Sequence, residues 1–297
     1  MHSVRRVKTT AEQKAAKRAH EAGEIRNHQK LLSTILERNT DPNALNRTTD
    51  LLSYYPEQYT VWNIRREILG TQRESDQYLA LLGRELKFTQ QLLPYHPKVY
   101  WIWNHRRWVL DQLPPTAYQE EMLLTTKLLE RDARNFHGWN YRWYVLNRLV
   151  ETPGADVLAT YRQEFAYTTK KINENFSNYS AWHYRAQLIQ RLGEHRPPLA
   201  QELGYVDTAV SMDPADQSGW LYLQWLLESP IFKHEVTSDV LKEQHELVED
   251  LLEEESSVFA ARTLSLLNSR IGKTDSRTSP EQLAKLDPLR RHRYTNK

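Results

Sequence analysis

Apolar side chains return every three or four positions in five stretches of the chain: Asp76–Leu93, Thr116–Asp132, Val157–Asn175, Pro197–Asp213 and Thr237–Glu255. In the first, Leu79, Leu82, Leu86 and the Leu92-Leu93 pair fall on one side of a 3.6-residue period, which predicts an amphipathic helix. Turn residues separate the stretches at Pro114-Pro115, Pro153-Gly154 and Pro197-Pro198.

A second pattern interleaves with the first. Five segments align on Trp62, Trp103, Trp139, Trp182 and Trp220, with separations of 41, 36, 43 and 38 residues. An aromatic stands three before the tryptophan in four of them (Tyr59, Tyr100, Phe136, Tyr179) and an arginine three after (Arg65, Arg106, Arg142, Arg185). The fifth has Gln217 and Leu223, as a terminal repeat can, because it covers the stack on one side only. The −3, 0, +3 spacing predicts aromatic, tryptophan and arginine on one face of a second helix. Pro56, Pro97 and Pro214, six before tryptophan, are expected in the first turn of that helix, whose N–H has no intrahelical acceptor. The tryptophans read as core, and the recurring arginines as ties between hairpins.

The expected fold is all-α: a solenoid of five helical hairpins over 45–255, bent into a crescent. An N-terminal arm and charged helix (1–44) precede it, and a capping segment (256–297) follows. Residues 272–280 read as a flexible loop, and Pro280–Asp287 as a last short helix.

Composition narrows the function. The 297 residues carry 40 basic and 38 acidic side chains, so charge balance gives no argument for nucleic acid. There is no cysteine, which removes disulfides, thiolate nucleophiles and Cys-ligated zinc from this chain. The N-terminus has no apolar signal core and no stretch is long enough to span a membrane, so a cytoplasmic protein is expected. No HExxH, GxSxG or Rossmann glycine pattern occurs, and Gly272-Lys273-Thr274 lacks the earlier glycine of a phosphate loop. His105, His137 and His183 sit inside tryptophan signatures and read as histidines packed between helices.

One slot departs from uniformity. Five before each tryptophan stand Glu57, Lys98, Arg134, Ser177 and Ala215, so only the second and third units are basic there. Equivalent slots of neighbouring units line one surface, so Lys98 and Arg134 are candidates for one anion.

The aromatic followed by Trp-Asn-x-Arg-Arg, complete around Trp62 and Trp103 and degenerate afterwards, resembles the α subunits of protein prenyltransferases over roughly residues 45–227. The closing LAKLDPLRRHRY, Leu283 to Tyr294, is similar to theirs. Two α types exist. The type shared by farnesyltransferase and type I geranylgeranyltransferase carries D-x-K-N-Y-H-x-W in the third unit. This chain has Asp132-Ala133-Arg134-Asn135-Phe136-His137-Gly138-Trp139, which looks like the Rab geranylgeranyltransferase type, as does NFSNYSAWHYR from Asn175 to Arg185. The length matches the compact form typical of fungi.

That resemblance implies a subunit that works with a catalytic β subunit to transfer geranylgeranyl from geranylgeranyl diphosphate to C-terminal cysteines of Rab GTPases, presented by a Rab escort protein. Zinc belongs to the β subunit. Lys98 matches a lysine that reaches the isoprenoid diphosphate. Arg134 replaces a catalytically important lysine, with Tyr100, Phe136, His137 and Asn178 near the same mouth. His2, on the N-terminal arm, is a candidate to reach the partner's zinc. A non-enzymatic helical-repeat scaffold and the shared α type are the alternatives.

Overall fold

The structure is a computed structural model, described for residues 10–37 and 43–295; His2 lies outside them. The chain divides into two compact units, residues 1–124 and 125–297.

The first unit holds α1 (Ala11–Glu37), α2 (Ala44–Tyr54), α3 (Tyr59–Gly70), α4 (Tyr78–Leu92), α5 (Tyr100–Leu110) and the start of α6 (Thr116–Arg131). α1 is solvent-exposed along most of its length and packs on α2 near its C-terminal end, where Ile35 is buried. The helices α2–α3 and α4–α5 are hairpins, closed over Leu51, Leu52, Trp62, Leu69, Leu82, Leu93 and Trp103.

The second unit holds the end of α6 and α7 (Phe136–Val150), then α8 (Val157–Glu174), α9 (Tyr179–Leu192), α10 (Leu199–Met212) and α11 (Gln217–Glu228). After them come α12 (Ser238–Glu254), α13 (Val258–Ile271), α14 (Pro280–Leu286) and α15 (His292–Thr295). The pairs α8–α9, α10–α11 and α12–α13 are hairpins around a core that includes Trp139, Trp182, Trp220, Leu226 and Leu264. No strand occurs among the described residues. The five expected first helices appear within two residues of their sequence bounds. A further hairpin, α12–α13, extends the stack without a tryptophan.

Three expectations change. Pro56, Pro97 and Pro214 lie in the turn before the second helix, not in its first turn. Their carbonyls explain the position: Trp62, Trp103 and Trp220 donate their indole N–H to the oxygens of Pro56 (2.8 Å), Pro97 (2.9 Å) and Pro214 (2.9 Å). Ala133 and Phe176 serve Trp139 and Trp182 in the same way, so every buried indole has its acceptor. The aromatic at −3 does not share the buried face of the tryptophan. Tyr59, Tyr100, Phe136 and Tyr179 are 47–58% exposed, whereas the tryptophans are at most 4%. Each of these aromatics is the first residue of its helix, so the ring, tilted toward the N-terminus, overhangs the helix end. Residues 272–280 are also no free loop. Gly272 ends α13 at a φ of 71°, Asn268 donates to Thr278, and Arg277 binds both Asp275 and Glu249 of α12.

Candidate functional site

The buried arginines are structural. Arg65 on α3 forks onto Glu85 of the next hairpin, Nε to Oε2 at 2.6 Å and Nη2 to Oε1 at 2.7 Å. Its Nη1 turns back to Thr48 and Thr49 of its own hairpin. Arg106 repeats this with Glu121 and Thr89, Arg142 with Glu164, Thr125 and Thr126, and Arg185 with Glu202, Thr168 and Thr169. All four arginines are at most 4% exposed and each guanidinium is taken up by its clamp. In the last two clamps the glutamate also accepts from its own hairpin. Tyr184 donates to Glu164 at 3.2 Å and Tyr222 to Glu202 at 2.6 Å.

His105 fills the tyrosine role for Glu85, with Nε2 at 3.0 Å from Oε2, while Nδ1 accepts from Arg66 Nε at 3.3 Å. These partners require the neutral Nε2–H tautomer. Burial pushes the imidazole down to about 4, against the hydrogen bond to Glu85, which raises it. Burial by itself would raise the Glu85 carboxyl; the bonds from His105 and Arg65 outweigh it and hold the group below the usual carboxylate range. His105 is therefore packing, as its place in the signature suggests.

What remains on the surface lies at the N-terminal ends of the second helices. In the first unit Lys98 is exposed one residue after Pro97, whose carbonyl the Trp103 indole holds. Tyr100, half-exposed, meets Trp101 edge-on at 5.3 Å, and Trp101 meets Tyr59 at 5.4 Å, giving a strip of three rings. In the second unit Arg134 is exposed, with its backbone N–H on Asp132 at 3.3 Å. Asn135 caps α7 by accepting from His137 and Gly138. Phe136 projects beyond the cap, 4.1 Å from the partly buried His137 ring. Each basic side chain thus stands two residues before an exposed aromatic, beside a helix N-terminus whose dipole also favours negative charge.

Asn178 is different. It is fully buried, its Oδ1 capping Ala181 N at 3.3 Å and its Nδ2 donating to Ala133 O at 3.0 Å. Its amide holds the Arg134 loop and does not reach solvent. Beside Tyr179, α9 and α11 enclose an apolar cavity of about 190 Å³ lined by His183, Leu221 and Trp225 among others. Among the described residues no group of three or more His, Cys, Asp or Glu side chains could hold a metal ion.

The tryptophan signature left the clamp's partners unread. Glu85–Thr89, Glu121–Thr125 and Glu164–Thr168 share an i, i+4 spacing, which aligning the first helices among themselves would have exposed.

Residues 82–113, 118–149, 161–192 and 199–230 match the protein prenyltransferase alpha subunit repeat. The chain is 36% identical over 236 residues to mouse geranylgeranyl transferase type-2 subunit alpha, a match that takes in 76% of this chain and 42% of the relative. It thus spans less than half the length of the mammalian proteins it matches. The protein of the same name from Saccharomyces cerevisiae is 33% identical over 99% of this chain and 98% of its own length. A solved structure, Candida albicans protein geranylgeranyltransferase-I complexed with GGPP, superimposes with a TM-score of 0.66 over 89% of this chain and 85% of that one, at 24% identity, and supports the fold. With hairpins, clamps and end-to-end yeast relatedness in agreement, the chain belongs to the family of geranylgeranyl transferase type-2 alpha subunits.

Proposed function

We propose that this chain is the α half of a heterodimeric Rab geranylgeranyltransferase, inactive alone and working in the cytoplasm with a β subunit. The observation that carries the reading is the pairing of an exposed cation with an exposed aromatic at the start of α5 and α7, Lys98 with Tyr100 and Arg134 with Phe136. The other second-helix starts have Glu57, Ser177 and Ala215 in the cation's slot. Relatedness to the yeast type-2 alpha subunit along nearly its whole length supports the same reading.

In the reaction a cysteine sulfur of the Rab tail bonds to C1 of the isoprenoid as the C1–O bond breaks. The electron pair of that bond leaves with the diphosphate. Negative charge therefore grows on the leaving group in the transition state, where fixed cations are most effective. Lys98 and Arg134 supply that charge, and the N-termini of α5 and α7 reinforce it. A zinc ion, when bound by the β subunit, would supply the activated thiolate. In each unit the overhanging aromatics, rings such as hot spots favour, meet β, and the Rab escort protein presents the GTPase.

The test is co-purification with the β subunit, followed by transfer of labelled geranylgeranyl to an escorted Rab. Activity in the pair and not in either subunit supports the proposal. A chain that binds no β subunit would be a helical-repeat scaffold, and activity on farnesyl substrates with the other β subunit would point to the shared α type.

A further inference from the structure

The joint between α10–α11 and α12–α13 is built from other residues than the four joints before it. Leu223 takes the arginine's place, three after Trp220. Sixteen residues before the arginine, where Thr49, Thr126 and Thr169 stand in the first, third and fourth hairpins, this joint has Asp207. Gln244, on α12, takes the glutamate's place and is buried.

Gln244 Nε2 donates to Asp207 Oδ2 at 2.9 Å. The other oxygen of each group, Asp207 Oδ1 and Gln244 Oε1, is buried and has no hydrogen-bond partner. The hydroxyl that a glutamate receives elsewhere, from Tyr184 or Tyr222, is replaced here by Thr263. That hydroxyl donates to Phe259 O and accepts from Gln224. Two buried acceptors flank one hydrogen bond, and leaving both unpaired costs about 1–3 kcal/mol each. One proton shared between the two groups would satisfy both.

We propose that in mildly acidic solution Asp207 is protonated in the folded protein and donates from Oδ1 to Gln244 Oε1, so that a neutral acid–amide pair clamps α10 to α12 where an arginine–glutamate fork clamps the earlier joints. The charged groups around it are already engaged. Arg185 of α9 is bound by Glu202, one turn before Asp207 on α10. Tyr222 of α11 also turns to Glu202. Tyr205 turns to Asn173 and Thr169 of α8. On α12, His245 turns to Asn268 of α13 and to Glu249, which Arg277 and Lys273 also bind. None of these cations pairs with Asp207. Burial accordingly pushes its carboxyl up to about 6, with the Gln244 bond opposing.

The folded value lies above the unfolded one of about 3.9, so the pair's stabilisation is complete below that value and is lost as pH rises through about 6. This makes the last joint the one that loosens toward neutral pH.

The experiment is a carbon-13 carboxyl titration of the full chain, with the Asp207 signal assigned by its loss in Asp207→Asn. A midpoint near 6 is expected; one near 4 overturns the proposal. Thermal unfolding supplies the second measurement. Asn keeps both hydrogen bonds at every pH, so Asp207→Asn should raise Tm by several degrees at pH 7.5 and by about half as much at pH 5. An equal shift at both pH values, or none at either, overturns it as well.

Discussion

The side-chain amide of Asn178 donates to the carbonyl of Ala133 at 3.0 Å, onto the same oxygen that accepts the Trp139 indole N–H at 2.9 Å. Two successive hairpins therefore grip the residue that precedes Arg134. Ser257 repeats the device on Pro214 O, the acceptor for Trp220. The relationship converts a buried capping residue into a support for an exposed, charged loop.

Asn178→Ala removes both the cap on α9 and the bond to Ala133, and is expected to cost about 1–3 kcal/mol in urea unfolding. Asn178→Asp keeps the cap on Ala181 but sets a carboxylate against the Ala133 carbonyl. It should be at least as damaging as Ala at pH 7 and recover in part below pH 4, where the acid can donate. If Asp matched wild type at neutral pH, the Ala133 bond would have no energetic role.

Arg142→Ala leaves Glu164 buried without its cation and should destabilise by about 3–5 kcal/mol. Arg142→Lys should recover only a fraction, since an ammonium cannot make the fork to both carboxylate oxygens while reaching Thr125 and Thr126. Arg142→Met combined with Glu164→Leu should cost less than Arg142→Ala alone. A double-mutant cycle on unfolding midpoints reads this coupling.

His105 is held down at about 4 in the folded state against about 6.5 unfolded, so its contribution is present above pH 6.5 and is lost as pH falls through 4. His105→Gln can still donate to Glu85 but does not titrate. The variant should lose a few kcal/mol less than wild type between pH 7 and pH 4 in parallel denaturant titrations.

Lys98→Ala and Arg134→Ala remove exposed charges and should leave stability within about 0.5 kcal/mol. In the reconstituted heterodimer each is expected to lower kcat by about 10- to 100-fold, with Arg134→Lys intermediate. Phe136→Ala should instead weaken association with β by about 1–3 kcal/mol, read by calorimetry. Unchanged kcat in both cation variants would remove them from the diphosphate site.

Helix bounds and the burial of the tryptophans were legible because each is a periodic, local property of the chain; the additional hairpin α12–α13 was not, because it carries no tryptophan. The tie between hairpins through Arg65, Arg106, Arg142 and Arg185 was legible as a role, since a feature repeated in every unit serves the stack and not one site. Its acceptors were not. Glu85 and Glu202 look like solvated helix charges until the next hairpin covers them. The direction of Tyr100 and Phe136 was misread for a related reason: periodicity describes a helix interior, and these residues stand at its end, where no preceding turn covers them.

By itself the sequence determined the repeat, the all-α class, the family signature and the departure of Lys98 and Arg134 from the uniform slot. Only tertiary structure decided which polar groups are sealed inside and which face water. Asn178 and Asp216 hold the same N-cap position four residues before a tryptophan, yet only Asn178 is fully buried, reaching back to Ala133 in the preceding hairpin. Asp207 and the threonines of its slot share one helical register, yet the missing arginine beside it changes the proton it holds. Burial and partnership are set by neighbours thirty to forty residues away in the chain, and a local pattern carries no record of them.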